Sequence, residues 1–139
     1  VVIAAIGRQA YAFPIQVVRE VVPVMEPTPI PDWPAHVLGV FELRGELIPL
    51  LDAAEALGHA RSPVKLSQLV LVLALSRRTV GVLVDRVEGV STGSLRPTTS
   101  IMPARDHALS RGILTEGAGS AVLLDPEALI RSLDLPAPA

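Results

Sequence analysis

The chain repeats itself, and this constrains its fold more than any single motif. A shift of 69 positions lays residues 1–6 on residues 70–75, Tyr11 on Val80, Val18 on Val87 and Val21 on Val90. A shift of 73 lays Gly39-Val40 on Gly112-Ile113, and Leu50-Leu51-Asp52 on Leu123-Leu124-Asp125. Each copy therefore reads as a hairpin, a connector, a Gly-hydrophobic strand, a Leu-Leu-Asp strand and a short helix. A period of this kind means one supersecondary unit used twice. Units of about 60–70 residues bury too little surface to be stable alone. The halves 1–60 and 67–135 are accordingly expected to form two pseudo-repeated barrels that share a core, with strands free to exchange between them. Their boundary falls in 57–66, and the whole 139-residue chain counts as one domain.

Short Val- and Leu-rich runs bounded by turn residues read as strands, because branched side chains suit the pleat and the runs are too short for helices. Residues 1–6 and 11–18 make one hairpin around Gly7-Arg8-Gln9, and residues 69–75 and 79–87 another around Ser76-Arg77-Arg78. Pro14 cannot donate to a ladder, which makes its strand an edge or a bulged one. Prolines at 27, 29, 31 and 34 exclude a helix from 24–34 and leave an extended connector. Strands at 37–43 and 46–51 meet at Arg44-Gly45. Asp52, Glu55 and Gly58 then read as a capping box, a short helix and a C-cap. Asp125-Pro126 opens the second copy of that helix as N-cap and first residue.

Val, Leu and Ile supply 18, 20 and 8 residues, about a third of the chain, so a dry aliphatic core is expected. The mean hydropathy of +0.48 raises the question of a membrane. No apolar run approaches the roughly 18–20 residues that span hydrocarbon, so direct insertion is not expected. Twelve basic against 14 acidic residues give no positive field for a phosphate backbone, and no nucleic-acid partner is expected. The absence of Cys removes disulfides, thiolate metal sites and thiol nucleophiles, and fits a reducing cytosol.

Catalytic chemistry does not assemble either. His36, His59 and His107 stand in unlike contexts without metal-ligand spacing, and read as surface histidines. Glu116-Gly-Ala-Gly-Ser120 resembles a phosphate loop, but a strand rather than a helix follows it, so its glycines make a hairpin turn. The acids Glu20, Asp52, Glu55, Asp85, Glu88 and Asp125 read as caps and solvated strand faces. No catalytic residue, metal or cofactor is expected, and the chain does not read as an enzyme.

The block from Pro34 to Asp52, with Gly39-Val40, Leu43-Arg44-Gly45, Pro49 and a closing Asp, resembles the signature of the CheW-like domain family. The segment from Tyr11 to Val22 is similar to its second strand and Val-x-Glu-Val stretch. Val80-Gly81 to Val87 resembles its Val-Gly and Val-Asp segment, and Val122 to Asp125 its closing Leu-Asp strand. Residues 92–111 match loosely.

The resemblance implies a mainly β fold of two small five-stranded SH3-like β-barrels sharing a core, with short helices. It implies a non-enzymatic cytoplasmic adaptor, recruited to receptor arrays at the inner membrane. There it would couple the cytoplasmic hairpin of a chemoreceptor, a methyl-accepting chemotaxis protein, to the regulatory domain of a CheA-type histidine kinase. A chain that begins on its first strand without Met leaves open an alternative, a CheW-like regulatory domain cut from a CheA-type kinase or a CheV-type fusion. Carried over by position, the partner-binding residues are Val18, Glu20, Gly39, Arg44, Leu69, Gly81 and Val90. Val18, Leu69 and Val90 would line a groove for a receptor helix, and Gly81 would let it approach. Arg44 would bridge a receptor carboxylate or hold the barrels in register.

Overall fold

The apolar runs form strands where the pleat can bury one face, and glycine or charged pairs turn the chain between them. The computed structural model describes residues 1–92, 94–96, 109–116 and 119–135. In chain order they form β1 (Val2–Ile6), β2 (Gln9–Phe13), β3 (Val18–Pro23), β4 (Val37–Leu43), β5 (Glu46–Leu51) and β6 (Leu69–Ala74). Next come β7 (Thr79–Val84), β8 (Arg86–Val90), β9 (Ser94–Arg96), β10 (Ser110–Glu116), β11 (Gly119–Leu124) and α1 (Pro126–Ser132). One sheet has the order β8-β1-β2-β11-β10-β9, the other β3-β6-β7-β5-β4. The mainly β, SH3-like arrangement over a shared core is thus present, with β9 adding a sixth strand to one sheet.

Each hairpin is flanked by strands of the other half. The β1–β2 hairpin takes β8 and β11, while β6–β7 takes β3 and β5. The repetition extends to individual residue pairs. Val2 opposite Phe13 becomes Leu71 opposite Val82, and the parallel pair Leu50–Gly81 becomes Leu123–Ala12. The ladder between β3 and β6 slips between Val18 and Glu20, and that between β8 and β1 slips at the equivalent place, between Val87 and Gly89. A second matched slip precedes Gly39 in β4 and Gly112 in β10.

The main core lies between the sheets. Leu71, Leu73, Val80 and Val82 meet Ala4, Ile6, Tyr11 and Phe13 there, and Leu129, Ile130 and Leu133 close it from α1. Phe41, Ile48, Leu50, Val70, Val72 and Leu83 fill the inside of the β3–β7 unit. Ala12, Leu114 and Ala121 fill the other unit with smaller side chains.

Several expectations need correction. The strand expected at 11–18 stops at Phe13, and β2 is neither edge nor bulged, because Pro14 lies beyond its end. The strand expected at 79–87 breaks at Asp85, where the chain leaves one sheet for the other. Residues 52–58 form turns rather than a helix: Asp52 Oδ1 accepts from Ala54 N–H at 3.0 Å, but Gly58 stops the coil after one turn. In the second copy Pro126 fixes the first residue and Asp125 accepts from Ala128 N–H, so α1 forms.

The histidines are not surface residues where the structure describes them. His59 Nε2 lies 2.7 Å from the Tyr11 hydroxyl, and His36 Nε2 meets the Leu133 carbonyl; both are half-buried. Asp85 is no solvated acid either, because it accepts from Gly7 N–H at 2.8 Å and from Gln68 Nε2 at 2.9 Å. His107 and most of 92–111 lie outside the described residues. β10 and β11 pair as a hairpin across the Glu116–Ser120 segment, whose residues 117 and 118 also lie outside.

Candidate protein-docking site

Three of the seven predicted site residues stand in one row across a sheet. Gly39 of β4 is opposite Leu50 of β5, Leu50 is beside Gly81 of β7, Gly81 faces Val72 of β6, and Val72 faces Glu20 of β3. Both glycines are buried, and each is required by packing. A Cβ on Gly81 would stand 2.7 Å from Val70 Cγ1 and 2.9 Å from Phe41 Cε1. Gly81 thus makes room for the ring of Phe41. Gly39 has φ +144°, and its Cβ would run into the Thr28 carbonyl oxygen. That approach is what lets Thr28 and Val40 exchange N–H···O bonds of 2.8 and 2.9 Å, which fasten the proline-rich connector to β4.

At the end of the row the sheet curls on itself. β3 and β4 are its opposite edges and have no ladder between them, yet side chains of β3 meet those of the β4–β5 turn and of β5. Arg44 and Gly45 form the two-residue turn of the β4–β5 hairpin, with φ +50° and +84°, a type I′ geometry that follows the strand twist. From that turn Arg44 donates with both terminal nitrogens to both carboxylate oxygens of Glu20, at 2.5 and 2.7 Å. Arg19 donates to Glu46 at 2.9 Å and lies 3.6 Å from Glu20. The charge orders Arg-Glu on β3 and Arg-x-Glu around the turn are complementary once the edges meet. This network closes the unit where backbone pairing does not.

The hydrogen bond from Arg44, reinforced by the charges of Arg44 and Arg19, holds the Glu20 carboxyl below its ordinary value against a smaller opposing effect of burial. The same bond and charge raise Arg44 further. The Arg44 side chain remains 66% exposed and that of Glu20 20% exposed, so water screens the pair and its contribution to stability is small. A depressed carboxyl stabilises the fold above its unfolded value, and that contribution is lost as pH falls through the lowered folded value. Carboxyl-resolved NMR is expected to show Glu20 titrating below the ordinary glutamate range, and moving up in Arg44→Ala. Unchanged titration in that variant would contradict the pairing.

The apolar members do not converge with this pair. Val18 and Leu69 are half-buried against the core between the sheets. They oppose Leu73 and Pro23 respectively, so four residues of β6, about 13 Å at strand rise, separate their levels. Val90 lies on the outer edge of the other sheet and is 68% exposed. The pairing of Glu20 with Arg44, and the Arg19–Glu46 pair beside it, escaped the sequence reading; the complementary charge orders were the available signal. Among the described residues no group of His, Asp or Glu is placed to hold a metal.

The CheW-like domain family model matches residues 1–134. The chain is 34% identical over 112 residues to a chemotaxis protein CheW of Rhizobium meliloti, spanning 78% of this chain and 72% of that one. It is 33% identical over 127 residues to a probable chemotaxis protein CheW of Rhizobium etli, spanning 89% and 82%. The fold superimposes on the crystal structure of scaffolding protein TtCheW from Thermoanaerobacter tengcongensis with a TM-score of 0.78 and 23% identity, covering 89% of this chain and 86% of that one.

Proposed function

Since the chain belongs to the CheW-like domain family, we propose that it is a chemotaxis scaffold, a non-enzymatic adaptor that joins a chemoreceptor's cytoplasmic hairpin to the regulatory domain of a CheA-type kinase. The observation that carries this reading is the exposed Arg44–Glu20 network, built on the Leu-Arg-Gly turn at the mouth of a rigid unit. A strand and a two-residue turn hold the two charges and the bidentate pairing fixes the guanidinium, so a partner meets them preorganised and forfeits little entropy on docking. Arg is also, with Trp and Tyr, among the side chains enriched at the energetic centres of interfaces.

In this mechanism Glu20 aims Arg44, and the guanidinium edge turned to solvent meets a carboxylate or carbonyl on a receptor helix. Val18, on β3 beyond the slip that precedes Glu20, is half-buried against the core and offers a partner only its exposed part. The exposed Val90, on the edge strand of the other sheet, gives a separate apolar contact, while Leu69 is half-buried against the core. Gly39 and Gly81 act indirectly, by fixing the strands that carry the others. Two surfaces on one small body are what a coupler needs, because both partners must be held at once. Among the described residues no helix is long and apolar enough to cross a membrane, and attachment to a receptor array is through protein contact.

Coupling is tested by function. Receptor cytoplasmic fragments are arrayed on vesicles with a CheA-type kinase, and autophosphorylation is followed as the chain is added. Stimulation that saturates with added chain is expected; kinase activity indifferent to the chain would contradict the proposal.

A further inference from the structure

Among the described residues the two copies of the repeat differ in what lies between the hairpin turn and the segment after the Leu-Leu-Asp strand. In the first copy that space is nearly closed, with about 50 Å³ left among Gly7, His59, Gln68, Asp85 and their neighbours. The chain's own residues after 58 occupy it. His59 lies against Gly7 and Tyr11, and Gln68 and Asp85 tie the turn down. In the second copy the equivalent space, between the β6–β7 turn and α1, is an open cleft of about 510 Å³.

The cleft has a definite chemistry. Leu75, Ile130 and Leu135 give it an apolar floor. Arg77, Arg78 and Arg131 stand around it with the acids Glu127 and Asp134, a net excess of one positive charge in a chain whose net charge is -2. Glu127 spends both carboxylate oxygens on Ser76, accepting from its N–H at 2.8 Å and its hydroxyl at 3.0 Å. Arg77 and Arg131 are exposed and make no ion pair among the described residues. Arg131 also takes the place that Gly58 holds in the first copy.

From this geometry we propose that the cleft between the β6–β7 turn and α1 docks an extended acidic segment of a partner protein. Its carboxylates pair with Arg77 and Arg131, and one apolar side chain seats on Leu75, Ile130 and Leu135. The first copy shows that a chain segment fits this position in the fold, and the arginines set the sign of the charge the second copy selects. The cleft shares no lining residue with the Arg44–Glu20 network, and the inference does not rest on receptor coupling.

The test uses the full chain and a fluorescein-labelled peptide of alternating glutamate and leucine, read by anisotropy and by amide chemical shifts. The peptide is expected to bind and to shift Leu75, Ser76, Ile130 and Leu135. Affinity should fall with salt, and should drop by about tenfold or more in Arg77→Ala/Arg131→Ala and for the same peptide carrying glutamine instead of glutamate. Arg8→Ala, at the equivalent turn of the first copy, should bind as wild type does; a weakened Arg8→Ala counts against the cleft. Equal binding by the double variant or the glutamine peptide, shifts centred on Arg19 and Arg44 instead, or no binding overturns the proposal.

Discussion

Gly39→Ala is expected to cost about 3–5 kcal/mol of folding stability, because it combines a disfavoured backbone with a collision that has no rotamer to relieve it. At φ +144° an L-residue is strained wherever it stands, and here its Cβ meets the backbone carbonyl of Thr28 rather than a movable side chain. Relief requires breaking the Thr28–Val40 bridge, which frees the connector from β4. Gly45→Ala separates the two effects. Gly45 also has positive φ, but nothing lies within 4 Å of its Cβ position, so its loss should reflect conformation alone, about 1 kcal/mol. Urea unfolding of both variants checks this; equal midpoints would show that the Thr28 contact carries no weight.

Arg44→Ala is expected to leave the unfolding midpoint nearly unchanged while weakening partner binding by about tenfold or more, the usual loss for a central interface arginine. Its exposure accounts for the small stability effect, and its aim by Glu20 for the large binding effect. The charge swap Glu20→Arg/Arg44→Glu sharpens the distinction. If the pair only closes the sheet, the swap restores function; if the guanidinium itself meets the partner, binding stays lost. The second outcome is expected. It is measured by titrating a receptor hairpin fragment and a kinase regulatory fragment into each variant, alongside urea unfolding.

Much of the fold was legible because it rests on local rules. The Val- and Leu-rich runs became strands, Arg44-Gly45 became a two-residue turn, and the 69- and 73-residue shifts reappeared as matched slips in the ladders. What was not legible depends on distant partners. Nothing local to Asp85 announces that the chain changes sheets there; its carboxylate is fixed by Gly7 and Gln68, far away in sequence. The helix expected at 52–58 failed for a related reason. Asp52 takes the Ala54 N–H and Gly58 has a positive φ, but the Asp52 N–H goes to the His36 carbonyl rather than to Glu55, and one turn repays little of the cost of nucleation without an apolar face as long as that of Leu129, Ile130 and Leu133.

The site was legible only by resemblance, which assigned seven positions and read the apolar ones and Gly81 as one groove for a receptor helix. Geometry divides them. Glu20 and Arg44 form a charged contact, Val90 is exposed, Val18 and Leu69 are shared with the core, and Gly39 and Gly81 make room for Thr28 and Phe41. A glycine that packs against its own chain gives the same pattern in sequence as one that admits a partner, and only the direction of the missing Cβ separates them.

The central claim is that one chain holds two partners at once. Size-exclusion chromatography with light scattering, on the chain mixed with a receptor hairpin fragment and a CheA-type regulatory fragment separately and together, tests it most directly. A ternary species containing all three, with binary complexes in the separate mixtures, is the result this account predicts. A chain that elutes alone in every mixture, or that binds one partner only when the other is absent, would contradict it.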